Sequence, residues 1–272
     1  MSQPLIIVVT GSNRGIGQGI IKLLAKNQYP RPLCIYATSR SGLDLQIQPF
    51  PPNEIRYAKL NISETSSVKT FISNTLKKDG KIDVLVNNAG VNNNHDEIPE
   101  LAEQTINVNY YGTKEMCRLF LTQGKMNTTP SSRIVNVSST ASSLSNYKPP
   151  IQSHFHSAKS EEAGFGAPPK SYQVSKALMN ALTLVLAREN EGVAVNCCCP
   201  GWVDSDMGNQ IEKPPKTLEE GARLPVRLAI GDLGQGGNED GGLDSDSRET
   251  VSGRYFGNDG VRGKGWGRAR GW

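Results

Sequence analysis

The sequence predicts a doubly wound α/β fold, in which helices cover both faces of a parallel sheet. Two observations carry this. Short apolar runs alternate with longer amphipathic ones along the chain, the signature of consecutive βαβ units. The first apolar run ends in a glycine-rich turn, Gly11-Ser-Asn-Arg-Gly15-Ile-Gly17, that opens a helical pattern. At 272 residues the chain is long for one domain but within the range of large α/β folds, and residues 1–272 are expected to form a single domain.

Strands are expected at the short apolar runs 5–10, 33–38, 55–59, 84–87, 134–138 and 194–198. Helices are expected at the amphipathic stretches 16–26, 66–77, 103–123, 173–188 and 218–229. In an open sheet of this kind, ligands bind beyond the carboxyl ends of the strands. Gly11, Asn87, Ser139 and Pro200 all follow strand ends, so they are expected to line one crevice. Two stretches break the alternation. Residues 142–171 contain Pro149, Pro150, Pro168 and Pro169 among several serines and predict a long loop beside the site. Residues 231–250 are rich in glycine and acid, including Gly234-Gln-Gly-Gly-Asn-Glu-Asp-Gly-Gly242. So little apolar surface predicts a mobile segment.

Composition excludes several classes. No run of about eighteen apolar residues is present, so no membrane span is expected. The N-terminus enters an apolar strand without the charged region and cleavage site of a secretory signal, which predicts a cytoplasmic protein. Cys34, Cys117 and the run Cys197 to Cys199 are odd in number and lack zinc-ligand spacing. They are read as reduced thiols, and no metal is expected. His154 and His156 have no further ligand cluster near them. The net charge of +4 is mild. Arg262, Lys264, Arg268 and Arg270 alternate with glycine near Trp266 and Trp272, and this tail is expected to be solvated or loosely packed rather than to bind nucleic acid.

The glycine turn is placed as a dinucleotide pyrophosphate needs it: glycines allow close approach, and the helix N-terminus offers N–H donors and positive dipole. NADP differs from NAD by a 2′-phosphate, which arginines attract and acids repel. The second strand ends in Thr38-Ser-Arg-Ser41 with no carboxylate, and Arg14 lies within the glycine turn, so Arg14 and Arg40 form a candidate phosphate clamp. Tyr172 and Lys176, four residues apart, share a helix face. An ammonium beside a phenol favours the phenolate, so the tyrosine pKa is expected to fall and allow proton exchange near neutral pH. Ser139 at a strand end is placed to donate to a carbonyl oxygen, and Ser138 is expected to point away. No His/Asp arrangement makes Ser139 a nucleophile. Together, Asn109, Ser139, Tyr172 and Lys176 describe a hydride-transfer site.

The ordered set of Thr10 to Gly17, Asn87-Asn-Ala-Gly90, Asn109, Ser139, Tyr172-x-x-x-Lys176 and Pro200-Gly201 resembles the short-chain dehydrogenase/reductase family. The resemblance runs from about Leu5 to Met207 and implies a three-layer Rossmann fold. Val108-Asn-Tyr-Tyr-Gly-Thr113, Cys199-Pro-Gly-Trp-Val-Asp-Ser-Asp-Met207 and Thr217-Leu-Glu-Glu-Gly-Ala222 further resemble the monomeric carbonyl reductase branch, which prefers NADPH. The resemblance implies that Tyr172 donates the proton, Ser139 polarises the carbonyl, Lys176 holds the ribose, and Asn109 anchors a relay water. It implies cofactor contacts from Gly11, Asn13, Arg14, Gly15, Ile16 and Gly17 at the pyrophosphate and from Arg40 at the 2′-phosphate. Asn61 and Ile62 would lie at the adenine, and Asn87, Ala89 and Gly90 near the nicotinamide ribose. Pro200, Gly201, Val203 and Ser205 would follow at the carboxamide side, with Ser205 in the place of a family threonine. Trp202 and Met207 are candidate walls of a pocket for a small-molecule carbonyl substrate. The 142–171 stretch is expected to cover the helix face that pairs relatives, leaving a monomer. Two alternatives stay open: an imine reductase or alcohol dehydrogenase on the same fold, and a non-catalytic NADP(H)-binding regulator.

Overall fold

Six consecutive buried residues, Leu5–Thr10, form the central strand β1 of the sheet. Its side chains alternate between two cores. Leu5, Ile7 and Val9 join one apolar cluster with Ile20, Leu24 and Leu228. Ile6 and Val8 join the other with Val68, Ile72 and Phe120. A strand with helices on both faces buries both sets, which is why it reads as a continuous apolar run.

The computed structural model describes residues 3–143, 170–210, 212–233 and 251–272. The expected long loop and the expected mobile segment fall mostly outside these residues, as do His154 and His156. In the described parts, β1 is followed by α1 (Gly15–Lys26), β2 (Leu33–Ser39), β3 (Glu54–Lys59), α2 (Thr65–Asp79) and β4 (Val84–Asn87). Then come α3 (Pro99–Ile106), a π-helical turn (Asn107–Gly112), α4 (Thr113–Thr122) and β5 (Ser132–Val137). Next are α5 (Ser171–Glu189), β6 (Val193–Cys198), α6 (Leu218–Ile230), β7 (Tyr255–Gly257) and β8 (Arg268–Arg270).

The strand order is β3-β2-β1-β4-β5-β6-β7-β8. All pairs are parallel except β7 with β8. From β1 the chain winds outward to β3, then returns to lay β4 on the other side of β1. The strand order therefore reverses between β1 and β4, and the crevice beyond their carboxyl ends is the ligand position of an open α/β sheet. At the opposite end, Asp83 accepts the Ile6 N–H at 2.7 Å and pairs with Lys81 at 2.8 Å, tying β4 to the start of β1.

Two expectations change. The helix expected over 103–123 starts earlier, at Pro99, and is interrupted by the π turn. The carboxyl-terminal tail is not loosely packed: it supplies β7 and β8. Its cations are engaged inside the molecule, Lys264 with Glu220 at 2.8 Å and Arg270 with Asp259 and the Gly257 carbonyl. Fully buried Arg227 of α6 reaches from the other side to the Gly267 carbonyl, and Trp272 packs against Val174 and Ala177.

Helices α1 and α6 pack on one face, with Gly19 at their closest approach. A β-carbon there would lie 2.4 Å from the Leu218 carbonyl oxygen and 3.2 Å from Ala222 Cβ. The first of these atoms is backbone and cannot step aside alone. Gly19→Val is therefore expected to lower stability by about 1–3 kcal/mol through overpacking, read as a lower urea midpoint with an unchanged slope.

Candidate active site

The crevice is built first by a clasp between the turns after β1 and β4. Thr10 Oγ1 donates to the Val86 carbonyl at 3.3 Å and accepts the N–H groups of Asn88 and Ala89, both at 3.0 Å. The Asn88 amide donates back to the carbonyls of Thr10 and Gly11, at 2.9 and 3.1 Å. Gly11 has φ +62°, and a β-carbon on it would lie 2.8 Å from Ala89 Cα. On Gly17, a β-carbon would lie 2.2 Å from the Gly11 oxygen. Only glycine fits either position.

Helix α1 starts immediately behind this turn, and its N-cap residue, Arg14, makes no side-chain cap. Its first N–H groups therefore face the crevice with the positive end of the helix dipole, which suits a phosphate. Asn13, Arg14, Gly15, Ile16 and Gly17 all belong to this turn and first helical residues. Gly15 brings the loop after β6 close, with Ser205 Cβ 3.6 Å from its notional β-carbon. The Arg14 guanidinium pairs with Asp206 of that loop at 3.2 Å, both side chains largely exposed. Arg40 instead lines a cavity of about 400 Å³ with Asn61, Ser63, Glu100, Glu103 and Val108. The two arginines of the expected clamp thus face different neighbours. Ile62 is buried and packs under Gly112.

Asn87 ends β4 beside the crevice. Its side-chain amide points into the protein, donating to Asn136 Oδ1 at 2.9 Å and to Cys117 Sγ at 3.3 Å. Asn88 and Thr10, which the motifs include without an individual role, and Ser175, which they lack, also carry structure at the site. The doubled asparagine was the available signal for Asn88.

The four polar side chains converge. Asn109, fully buried in the π turn, accepts the Val91 N–H at 2.8 Å and donates to the Val91 carbonyl at 2.8 Å and Ser175 Oγ at 3.0 Å. A single π turn of this kind frequently marks a functional site. Lys176 Nζ donates to the Val137 carbonyl at 2.8 Å and lies 5.7 Å from the centre of the Tyr172 ring. A β-carbon on Gly90 would meet Asn109 Oδ1 at 3.0 Å and Lys176 Nζ at 3.6 Å, so that glycine keeps the crevice floor clear. The Ser139 hydroxyl accepts the Ala141 N–H at 3.1 Å and lies near enough to the Tyr172 phenol to favour its ionised form. Ser138 does point away, donating to Asn180 Oδ1 of α5.

The expected fall in the tyrosine pKa is not seen. Burial pushes the Tyr172 phenol up to about 12, the nearby Cys199 thiol adds to the rise, and the Ser139 hydrogen bond only partly offsets them. Burial likewise pulls the Lys176 ammonium down to about 8, against the opposing effect of Cys198 and Cys199. Desolvation sets the direction of both shifts.

Beyond β6, Gly201 has φ +85° and backs onto Lys216, whose buried ammonium donates to the Pro200 carbonyl at 2.7 Å. Val203 is buried and forms a bridge with Lys216. The Trp202 indole donates to the Gly208 carbonyl at 2.9 Å, with Arg262 over its ring at 5.6 Å, while Met207 is exposed. Among the described residues there is no cluster of metal ligands and no helix long and apolar enough to cross a membrane.

Comparison with known proteins agrees with this geometry. The family model of the short chain dehydrogenases matches residues 5–167. Carbonyl reductase [NADPH] 1 of Mus musculus is 31% identical over 83% of this chain and 90% of its own. The (+)-neomenthol dehydrogenase of Arabidopsis thaliana is 30% identical over 84% of this chain and 92% of its own. Among solved structures, the NADPH-bound carbonyl reductase from chicken fatty liver superposes with a TM-score of 0.69 at 23% identity, over 100% of both chains. Salutaridine reductase from Papaver somniferum gives 0.67 at 24% identity, over 92% of this chain and 99% of its own. Matched over more than half its length and carrying the clasped glycine turn and the four converging polar groups, the chain belongs to the short-chain dehydrogenase family of oxidoreductases.

Proposed function

We propose that this oxidoreductase reduces the carbonyl of a small ketone or aldehyde to an alcohol, with NADPH as cofactor and Tyr172 as proton donor. The observation that carries the reading is the convergence at the crevice of the half-buried Tyr172 phenol, Ser139 beside it and the Lys176 ammonium 5.7 Å from its ring. A protonated donor beside a hydroxyl suits reduction, in which a forming alkoxide must collect a proton. Bound nicotinamide supplies the hydride. The residues present fit that group: the uncapped start of α1 for the pyrophosphate, Gly90 clearing the floor beside Lys176, and Arg40 with Asn61 beside a cavity of about 400 Å³.

Each residue then has a task. Ser139 and Tyr172 aim their hydroxyls at one carbonyl oxygen and fix its position before reaction. Lys176 holds a ribose hydroxyl, and Asn109 keeps the backbone at Val91 in place and orders the relay behind the lysine. Trp202 and Met207 supply pocket wall. The similarity to carbonyl reductases named for NADPH supports the cofactor choice, and Arg40, on its own rather than in a clamp with Arg14, is the cation beside the cavity. A cytoplasmic, monomeric protein belongs to the same reading.

Tyr172→Phe removes the transferable proton and keeps the ring. We expect carbonyl reduction, followed by NADPH absorbance, to fall at least a hundredfold while NADPH binding by fluorescence titration stays within about twofold. Retained turnover would refute the proton-donor role. Arg40→Ala is expected to weaken NADPH about tenfold and leave NADH unchanged, since only the former carries the 2′-phosphate. Equal losses for both cofactors would remove Arg40 from that role.

The pH dependence follows from Lys176. Its pKa of about 8 leaves it charged below that pH and neutral above it. If its charge holds the ribose, kcat/KM for NADPH declines as pH rises through about 8, well before Tyr172 ionises. Lys176→Met should flatten that limb of the profile as well as lower the rate, and a limb that survives the substitution would assign it to another group.

A further inference from the structure

Helix α5 carries both Tyr172 and Lys176, yet it begins without a cap of its own. Its N-cap, Lys170, makes no side-chain cap. The first N–H groups of a helix lack partners within it and need acceptors from elsewhere. Here they come from residues more than seventy positions upstream. Glu97 Oε1 accepts the Lys170 N–H at 2.9 Å, and Oε2 accepts the Ser171 N–H at 2.9 Å. The Ser171 hydroxyl also donates to Oε2. Asn94 Oδ1 accepts the Tyr172 N–H at 3.1 Å, and Asn94 Nδ2 donates to Gln173 Oε1 at 2.6 Å. Four consecutive residues, 170–173, are thus gripped by two side chains.

We propose that Glu97 and Asn94 are positioning residues for the reaction: they form an external cap that fixes the first turn of α5 and with it the Tyr172 hydroxyl. This rests on the carbonyl-reductase reading for its catalytic consequence, though not for the cap itself.

Three further observations favour it. Tyr172 is held at both ends of its backbone unit, since the Ser175 hydroxyl donates to its carbonyl at 2.7 Å and receives Asn109 Nδ2 at 3.0 Å. The segment that bears the cap is itself anchored at its start, where Asn109 holds both backbone groups of Val91. Hydrogen bonds therefore run from Asn109 through Ser175 to Tyr172 on one side and from Asn109 to Val91 on the other, where the chain itself leads on to Asn94 and Glu97. Finally, Glu97 is charged where charge counts. Burial pushes its carboxyl up, but the bonds from Ser171 and Lys170 outweigh this and hold it below the usual carboxylate range. An anion at a helix N-terminus also complements the helix dipole.

The alternative is that Glu97 stabilises the fold without bearing on tyrosine placement. The two are separated with full-length Glu97→Ala, Glu97→Gln and Asn94→Ala proteins and two readouts. Hydrogen–deuterium exchange at the amides of residues 171–174 reads the cap directly and needs no activity. Steady-state reduction of a carbonyl reads its consequence. Expected are at least tenfold faster exchange at those amides in Glu97→Ala, and a ten- to hundredfold lower kcat. KM for the carbonyl and the dissociation constant for NADPH should stay within about twofold. Glu97→Gln, which keeps one acceptor oxygen, should be intermediate in both. Asn94→Ala, which removes the acceptor for the Tyr172 N–H and the donor to Gln173 Oε1, should lower kcat with little change in thermal midpoint. Unchanged exchange in Glu97→Ala overturns the cap. Faster exchange with unchanged kcat overturns the positioning role. If the native protein binds NADPH but reduces no carbonyl, faster exchange in Glu97→Ala still supports the cap, and the functional reading fails separately.

Discussion

Two backbone turns approach so closely beyond the carboxyl ends of β1 and β4 that neither Gly11 nor Gly17 has room for a side chain. The Thr10 hydroxyl and the Asn88 amide sew these turns together with five hydrogen bonds. That clasp closes the point where the strand order reverses, and the rest of the site is referenced to it. It sets where α1 begins and so where its unpaired N–H groups face. It also sets where the chain leaves β4, and through Ala89, Gly90 and Val91 it places the segment that Asn109 holds. A methyl group at Gly17 would open the clasp, and the displacement would pass along covalent and hydrogen-bonded paths to both halves of the crevice.

Much of the site consists of polar groups removed from water, which is unfavourable unless each is paired. The pairing is correspondingly thorough. Lys176 reaches the Val137 carbonyl, Ser138 reaches Asn180, and the Asn180 amide donates to Ser142 Oγ, which in turn bonds the Ser139 carbonyl. Each bond contributes only about 1 kcal/mol net, but leaving any of these groups unpaired would cost about 1–3 kcal/mol. The consequence is rigidity where geometry matters. Ser139 follows β5 in a turn that Asn180 holds through Ser142, and Asn180 belongs to the helix that also bears Tyr172 and Lys176. The same dryness explains the direction of the pKa shifts, since burial disfavours the phenolate and the ammonium alike.

The central strands, the glycine turn and the four converging side chains were legible in the sequence because each leaves a local mark: continuous apolar runs, glycines at a strand-to-helix junction, and a four-residue spacing. What was not legible depends on three-dimensional context. Strands β7 and β8 are three residues each within glycine-rich sequence, and they exist because Arg227 and the edge of β6 receive them. The π turn at Asn107–Gly112 keeps a helical pattern, so periodicity alone reads straight through it. Asn87 and Asn88 are chemically identical, and only the pleat of β4 decides that the first turns inward. The tyrosine pKa was misjudged because the effect of a neighbouring charge can be read from spacing, whereas burial cannot.

Competition between charges completes the picture at the mouth of the crevice. Arg14 is paired with Asp206, and this pair bridges the glycine turn to the loop after β6. Exposed pairs of this kind contribute about 0–1 kcal/mol, and salt screens them further. A phosphate at the α1 N-terminus offers Arg14 a charge-assisted, bidentate partner worth about 1.5–3 kcal/mol. The exchange therefore favours the phosphate, and Asp206 would be released toward solvent with the loop that carries Ser205 and Met207. Because the existing pair is weak, it does not seriously oppose an anionic ligand. A buried pair in the same place would do the reverse and oppose such an anion.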